Sequence, residues 1–262
     1  MASVRTAPNH EPVALRAPFR WAGEHLVIEL PGAHALFTTR RGGFSEGPFA
    51  TLNLGRLTAD DPEAVGRNRA MVQSQAGGRL AMIRQVHGRR VVRLHTADQA
   101  CGPEPRGELE EADGQATRVE GVAPLVMTAD CLPVAIAGGG AVAIVHAGWR
   151  GLADGVLDEG VRAVRELGDD ATLAAAIGPG AGPCCYEVGE EVHERFRAYG
   201  PAARRGRNLD LKAIARQQLS AAGVSAVHDA GLCTICSPPS LFFSHRRDSG
   251  VTGRQAGLVW LS

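Results

Sequence analysis

Net charge is the first thing missing. Lys plus Arg and Asp plus Glu number 28 each, so the formal charge is zero. A neutral chain has no global field to recruit nucleic acid or an acidic membrane surface, and any anion it takes must be met by a local site. No apolar run reaches the roughly 18 residues that span a bilayer. Leu132 to Val145 falls short and is interrupted by Gly138-Gly139-Gly140, which reads as a soluble, buried segment. The opening stretch MASVRTAPNHEPVALRAPFRW has early charge and prolines but no apolar core, so it is no secretory signal and reads as a loose arm over residues 1–19. GxGxxG and GxxxxGK[ST] are absent, which removes dinucleotide and P-loop chemistry; HExxH, HxE…PCxxC and paired CxxC sets are absent as well. Without a repeat or a low-complexity linker, residues 20–262 read as one domain.

What is present is a large apolar fraction, 44%, ample for a core, and six cysteines without the dense spacing of secreted scaffolds. Such thiols belong to a reducing, cytoplasmic setting, where some are reactive or metal-binding. Short Val/Ile/Leu-rich strands are expected at 25–30, 33–40, 80–86, 90–95, 124–130, in LFFSHR and in GLVWL. Helices are expected from Asp61-Pro62 to about Gln75, at 152–167, at 189–199 and at 209–222, with Gly168 and Gly223 as stops. Strand pairs and helices interleave without strict alternation. That predicts a mixed α/β fold with a largely antiparallel sheet covered by helices.

The segment TADCLPVAIAGGGAVAIVHAGWRG carries the chemistry. Read as a hairpin with Gly138-Gly139 at its turn, it sets Cys131 opposite His146, close enough for a sulfur and an imidazole to share one ion or one proton. Each residue alone is more often a core thiol or a satisfied histidine. Asp130, a carboxylate in an apolar context, and IRQVHGRRV, which ends a second strand in His87, shift the balance. Two imidazoles and one thiolate suit Zn²⁺ or copper, and three protein ligands leave a fourth position for water or substrate. Cys233-Thr-Ile-Cys236 is a single CxxC and reads as two reduced core thiols; Cys184-Cys185 follows a loop dense in glycine and proline, a shaped turn or a ligand wall.

TTRRGGFSEGPFATLNLG, NRAM, QVHG, TADCLPV, HAGWRGL, IGPGAGPCCYEVGEEV, LDL and FFSHRRDSGVTGRQAGLVWL, in that order, resemble the YfiH or laccase-domain family, whose members are called polyphenol oxidases, peptidoglycan editing factors and purine nucleoside phosphorylases. The resemblance runs from about Thr38 to Leu261, with Phe44 as a mild departure. It implies a layered α/β sandwich. It also implies a zinc ion held by His87, Cys131 and His146, phosphorolysis of adenosine, inosine and S-methyl-5'-thioadenosine, and adenosine deamination.

For that chemistry Arg40 and Arg247 are the expected phosphate grips, with Arg150 in reserve, since guanidinium forks hold phosphate bidentately. Asp130, or Glu187 after it, is the expected proton carrier beside the catalytic Cys131 and His87. Asn53 and Gln85 are the expected contacts to ribose or base, with a turn or strand-end role as the alternative for each. The expected partners are a purine nucleoside and phosphate, without nucleic acid or membrane, and a homodimer is compatible. Three other readings compete. A cysteine hydrolase would use Cys131 as nucleophile, His146 or His87 as base and Asp130 as orienting group, acting on a peptidoglycan precursor. A single copper would oxidise phenols, although a trinuclear cluster is excluded by nine scattered histidines without an HxH pair. A binding module would use zinc structurally.

Overall fold

A computed structural model describes residues 13–105 and 107–262. The reading of residues 1–12 as part of a loose arm lies outside them. In chain order the strands are β1 (Arg20–Ala22), β2 (His25–Leu30), β3 (Ala33–Phe37), β4 (Arg79–Ala81), β5 (Val91–Leu94), β6 (Gly114–Thr117), β7 (Val122–Thr128), β8 (Leu132–Gly138), β9 (Ala141–Ala147), β10 (Ala174–Ile177), β11 (Arg204–Arg205), β12 (Asn208–Leu209), β13 (Ala226–Asp229) and β14 (Gln255–Leu261). The helices are α1 (Pro62–Gln75), α2 (Trp149–Asp154), α3 (Val156–Leu167), α4 (Glu190–Arg195) and α5 (Leu211–Ala221).

Two six-stranded mixed sheets form the centre, ordered β1-β2-β3-β14-β7-β4 and β13-β10-β8-β9-β6-β5. In the first only β4 and β7 run parallel; in the second, β10 with β13 and β5 with β6 do. The sheets face each other across Ile28, Phe37, Val126, Ala135 and Ile144. On the outer side of the second sheet lie α3 and α5, packed through Val161, Val164 and Ile214 onto Val134, Ile136 and Val145. On the outer side of the first, α1 packs through Val72 onto Leu36, Leu80, Leu125 and Leu258. Strands with both faces buried lose the in–out alternation of a half-solvated sheet, which is why β8 and β9 are apolar apart from His146. Their periodicity survives only as a choice of layer: Leu132, Val134 and Ile136 meet helices, while Ala135 and Ala137 meet the other sheet.

Local chemistry sets the ends. Asp61 caps α1 by accepting from the Glu63 N–H, with Pro62 at the first turn, and Asp210 caps α5 through the Ala213 N–H. The expected helix 152–167 is two helices, because Gly155 takes φ 84° between α2 and α3. The expected 189–199 helix ends at Arg195 and continues as a 3₁₀ turn. LFFSHR is not a strand: Leu241, Phe242 and Phe243 are buried, but the Gln255 side chain takes both the N–H and the C=O of Phe243 where a neighbouring strand would. The 80–86 strand likewise stops at Ala81, and beyond it the Gln85 amide replaces the ladder by bonding the N–H and C=O of Met127.

Candidate metal centre

β8 and β9 are joined at Gly139-Gly140, and the register pairs Leu132 with Ala147 and Pro133 with His146. Both turn glycines have positive φ, as the tight turns that match strand twist require. The turn therefore sits one residue beyond the expected Gly138-Gly139. Cys131 falls opposite Gly148 and lies diagonal to His146, on the same face. Reach survives the shift. One ligand atom from each of His87, Cys131 and His146 lies within 4.8 Å of the others, and the two imidazole rings meet edge to face with centroids 4.8 Å apart.

Asp113, fully buried at the entrance to β6, organises the centre and has no part in the sequence reading. One of its carboxylate oxygens accepts from His146 Nδ1 at 2.8 Å and from the His87 N–H at 2.9 Å; the other accepts from the N–H groups of Gly88 at 2.6 Å and Val86 at 3.2 Å. Its pKa is held below the usual value: burial pushes it up, but the His146 bond and these backbone donors overcome that. A carboxylate on Nδ1 fixes the His146 tautomer and turns Nε2 towards Cys131, the arrangement that presents an imidazole to a metal. The same carboxylate folds the QVHG loop so that His87 adopts φ 61°, uncommon for a non-glycine residue.

Burial raises the Cys131 thiol, but the charges and hydrogen bonds of His146 and His87 outweigh that and lower it to about 6. Burial lowers His146, and Cys131 and Asp113 outweigh that, raising it to about 9. In metal-free protein the two therefore form a thiolate–imidazolium pair. Gly148 leaves the sulfur its room, since a Cβ there would sit 2.9 Å from Cys131 Sγ and 3.4 Å from His87 Cδ2.

A sequence model described as multi-copper polyphenol oxidoreductase laccase matches residues 34–262. The chain belongs to this laccase family. It is similar to a protein of Pseudomonas aeruginosa named purine nucleoside phosphorylase, 42% identical over 238 residues that cover 87% of this chain and 93% of that protein. A Xylella fastidiosa protein of the same name is 44% identical over 249 residues, covering 88% and 93%. Among solved structures, the Bacillus licheniformis hypothetical protein YfiH superposes with a TM-score of 0.85 at 34% identity, covering 94% of this chain and all of that one. YlmD from Geobacillus stearothermophilus gives 0.83 at 35%, covering 92% and 97%.

In this laccase-family chain the other expected site residues are placed as follows. Asp130, at φ 96°, has one carboxylate oxygen bonded by Thr234 Oγ1 at 2.6 Å and the other by the Arg246 N–H at 2.8 Å, so it staples the turn before Cys131 to two loops. Arg40 donates to the carbonyls of Ala50, Pro48 and Pro239 and lies over the Phe243 ring. Arg247 donates to the carbonyls of Thr234 and Phe242 and pairs with Asp248. Asn53 is buried and joins Thr58, Asp60 and the Arg254 N–H, a turn role. Gln85 has the strand-end role already described, and Glu187 pairs with exposed Arg207.

Arg150 is exposed and lies over its neighbour Trp149. Three further side chains, of which the sequence singles out only Arg246, as the neighbour of Arg247, stand near the sulfur. Tyr186 is raised to about 12 by burial and by the charges of Cys131 and Asp130, with Arg246 and Arg150 opposing. Arg246 lies over the Tyr186 ring. Arg254 is lowered by burial and raised by Cys131 and Asp130.

Proposed function

We propose that this chain is a zinc-dependent purine nucleoside phosphorylase that acts on adenosine, inosine and S-methyl-5'-thioadenosine and also deaminates adenosine. The observation that carries the metal half is the convergence of two imidazoles and one thiolate from three chain segments, backed by a buried carboxylate on Nδ1 of one imidazole. That donor set fits Zn²⁺, with copper as the other metal it suits, and His87, Cys131 and His146 would hold it with one position left for a guest. The name shared by relatives at 42% and 44% identity supports the chemistry.

When bound, the ion supplies a Lewis acid and a water of lowered pKa at that position. The chain's own residues do the rest. In phosphorolysis a phosphate oxygen bonds to C1′ as the C1′–N9 bond breaks and the purine leaves with the electron pair, so phosphate must be gripped against the sugar. Arg150, with no carboxylate partner among the described residues, is the grip this reading favours over Arg40 and Arg247; Arg246, over the Tyr186 ring and with one guanidinium nitrogen on the Glu187 carbonyl, stands beside it as the second. Asp130 holds the Cys131 turn and, through the Arg246 N–H, the grip beside it.

Incubation with inosine should yield hypoxanthine and ribose 1-phosphate only when phosphate is present; adenosine should yield adenine by phosphorolysis and inosine by deamination. No base release from fully metal-loaded protein would end the reading. One observation favours a second reading, a metal-free cysteine hydrolase: Cys131, His146 and Asp113 stand in the order nucleophile, base and orienting carboxylate, with Asp113 rather than Asp130 in the third role. Hydrolysis that persists in metal-free His87→Ala protein would select it.

A further inference from the structure

We propose that Cys184, Cys185, Cys233 and Cys236 form a second metal site that holds one zinc ion through four thiolates, apart from the His87–Cys131–His146 centre. All four sulfurs lie within 4.8 Å of one another, and the Cys184 and Cys236 sulfurs are 3.4 Å apart. Four sulfurs around one zinc, each at about 2.3 Å, stand about 3.8 Å apart (2.3 × 1.63), so the spacing is that of a single tetrahedral ion. An iron–sulfur cluster adds further irons and bridging sulfides inside its cage and needs more room than this.

The topology explains the meeting. β10 and β13 are parallel neighbours, with Ile177 level with Asp229, so the segments that follow them leave the same end of the sheet. They stay paired as they leave: Gly180 bridges to Cys233, its N–H reaching the Leu232 carbonyl and its carbonyl taking the Thr234 N–H. The CxxC turn is closed by the Ser237 N–H on the Cys233 carbonyl. Cys233 is buried, and the Gly182 N–H donates to its sulfur at 3.2 Å. Gly182 also leaves the cradle open, because a Cβ there would lie 3.2 Å from both Cys184 Sγ and Cys233 Cβ.

With four protein ligands the site is closed, and its role is to clamp. It ties the turn that carries Tyr186 to the turn that carries Thr234, whose hydroxyl holds Asp130 beside Cys131. Nothing in this assignment depends on the chemistry proposed for the first centre.

The test is metal counting on full-length protein purified under reducing conditions without a chelating tag. Wild type should hold about two zinc ions per chain, a His87→Ala/Cys131→Ser variant one, and a Cys233→Ser/Cys236→Ser variant one. If the last variant does not fold, cobalt added to His87→Ala/Cys131→Ser decides. One cobalt per chain with intense thiolate-to-cobalt charge-transfer absorption and tetrahedral ligand-field bands supports the site; absence of that spectrum overturns it. The proposal also fails if the only zinc disappears with His87 and Cys131, if protein isolated from cells with its free thiols blocked at lysis carries a Cys184–Cys236 disulfide on mass mapping, or if the four-cysteine metal proves to be iron or copper.

Discussion

Replacing Asp113 by Asn changes no volume and removes one charge, and its effect follows from where the four donors sit. One oxygen serves His146 Nδ1 and the His87 N–H, the other the N–H groups of Val86 and Gly88. An amide offers one oxygen, so its NH₂ must face one of these pairs. Facing Val86 and Gly88, it releases the QVHG loop that places His87. Facing His146, it is satisfied only if Nδ1 becomes the acceptor, which moves the ring proton to Nε2 and blocks the nitrogen meant for the metal. Each bond lost to a charged acceptor is worth roughly 1.5–3 kcal/mol, so two set the scale at roughly 3–6 kcal/mol before the loop relaxes. Outer-shell partners of metal-binding histidines typically contribute ~10–100-fold in affinity. We expect zinc at this centre to bind at least ~10-fold more weakly in Asp113→Asn, with a lower Tm of the metal-free protein. Chelator competition gives the first quantity and thermal unfolding the second. A zinc Kd and a Tm both equal to wild type would refute the assignment of Asp113 as the residue that orients His146 and the loop.

Gly148→Ala would place a methyl group 2.9 Å from Cys131 Sγ, and the short, stiff cysteine has little room to retreat; we expect a fold-stability cost of about 1–3 kcal/mol by unfolding titration and loss of the first-centre metal by metal counting. In metal-free protein the ultraviolet thiolate signal of wild type minus Cys131→Ser should titrate near pH 6 rather than at the ordinary 9.0. The linked stability has two limits: the Cys131 contribution is complete above 9.0 and lost as pH falls through about 6, while that of His146 is complete below 6.5 and lost as pH rises through about 9. Metal-free protein should thus lose stability as pH falls through about 6 and as it rises through about 9, as denaturant midpoints across pH will record. Arg40→Ala strands three loop carbonyls and should lower Tm with little change in KM for phosphate, whereas Arg150→Ala should raise that KM and leave Tm in place; the reverse pattern would restore Arg40 as the grip.

The residues that proved readable were those whose position follows from one local rule. The glycine turn and the spacing from Cys131 to His146 tolerate a one-residue slip of the loop, because a diagonal pair on the same strand face still converges. Asp61-Pro62 names its own helix start. Asp113 was missed because its sequence context, Glu110-Glu111-Ala112-Asp113-Gly114-Gln115, is polar and does not single it out as the apolar context of Asp130 does; at both places the carboxylate holds backbone N–H groups or a hydroxyl beside a candidate ligand. Arginine roles were the least readable. A guanidinium that follows a strand can face an anion or the carbonyls of a loop without a ladder partner, and at Arg40 and Arg247 it faces the carbonyls.

The cysteine cluster shows why some convergence stays hidden until topology is known. Cys184-Cys185 and Cys233-Cys236 are each unremarkable alone, and only the parallel pairing of β10 with β13 sets them side by side. Ala174-Ala175-Ala176-Ile177 has weak strand propensity, and Ala226-Val227-His228-Asp229 little more, so neither segment announces itself as a strand. Their partners supply what propensity lacks: Ala174–Ile177 pairs with β8 from Ala137 to Val134, and the small alanine side chains let the helix layer on one side and the opposite sheet on the other come close. A strand held by its neighbours rather than by its own residues is invisible to a local reading, and so is every site that depends on where such a strand ends.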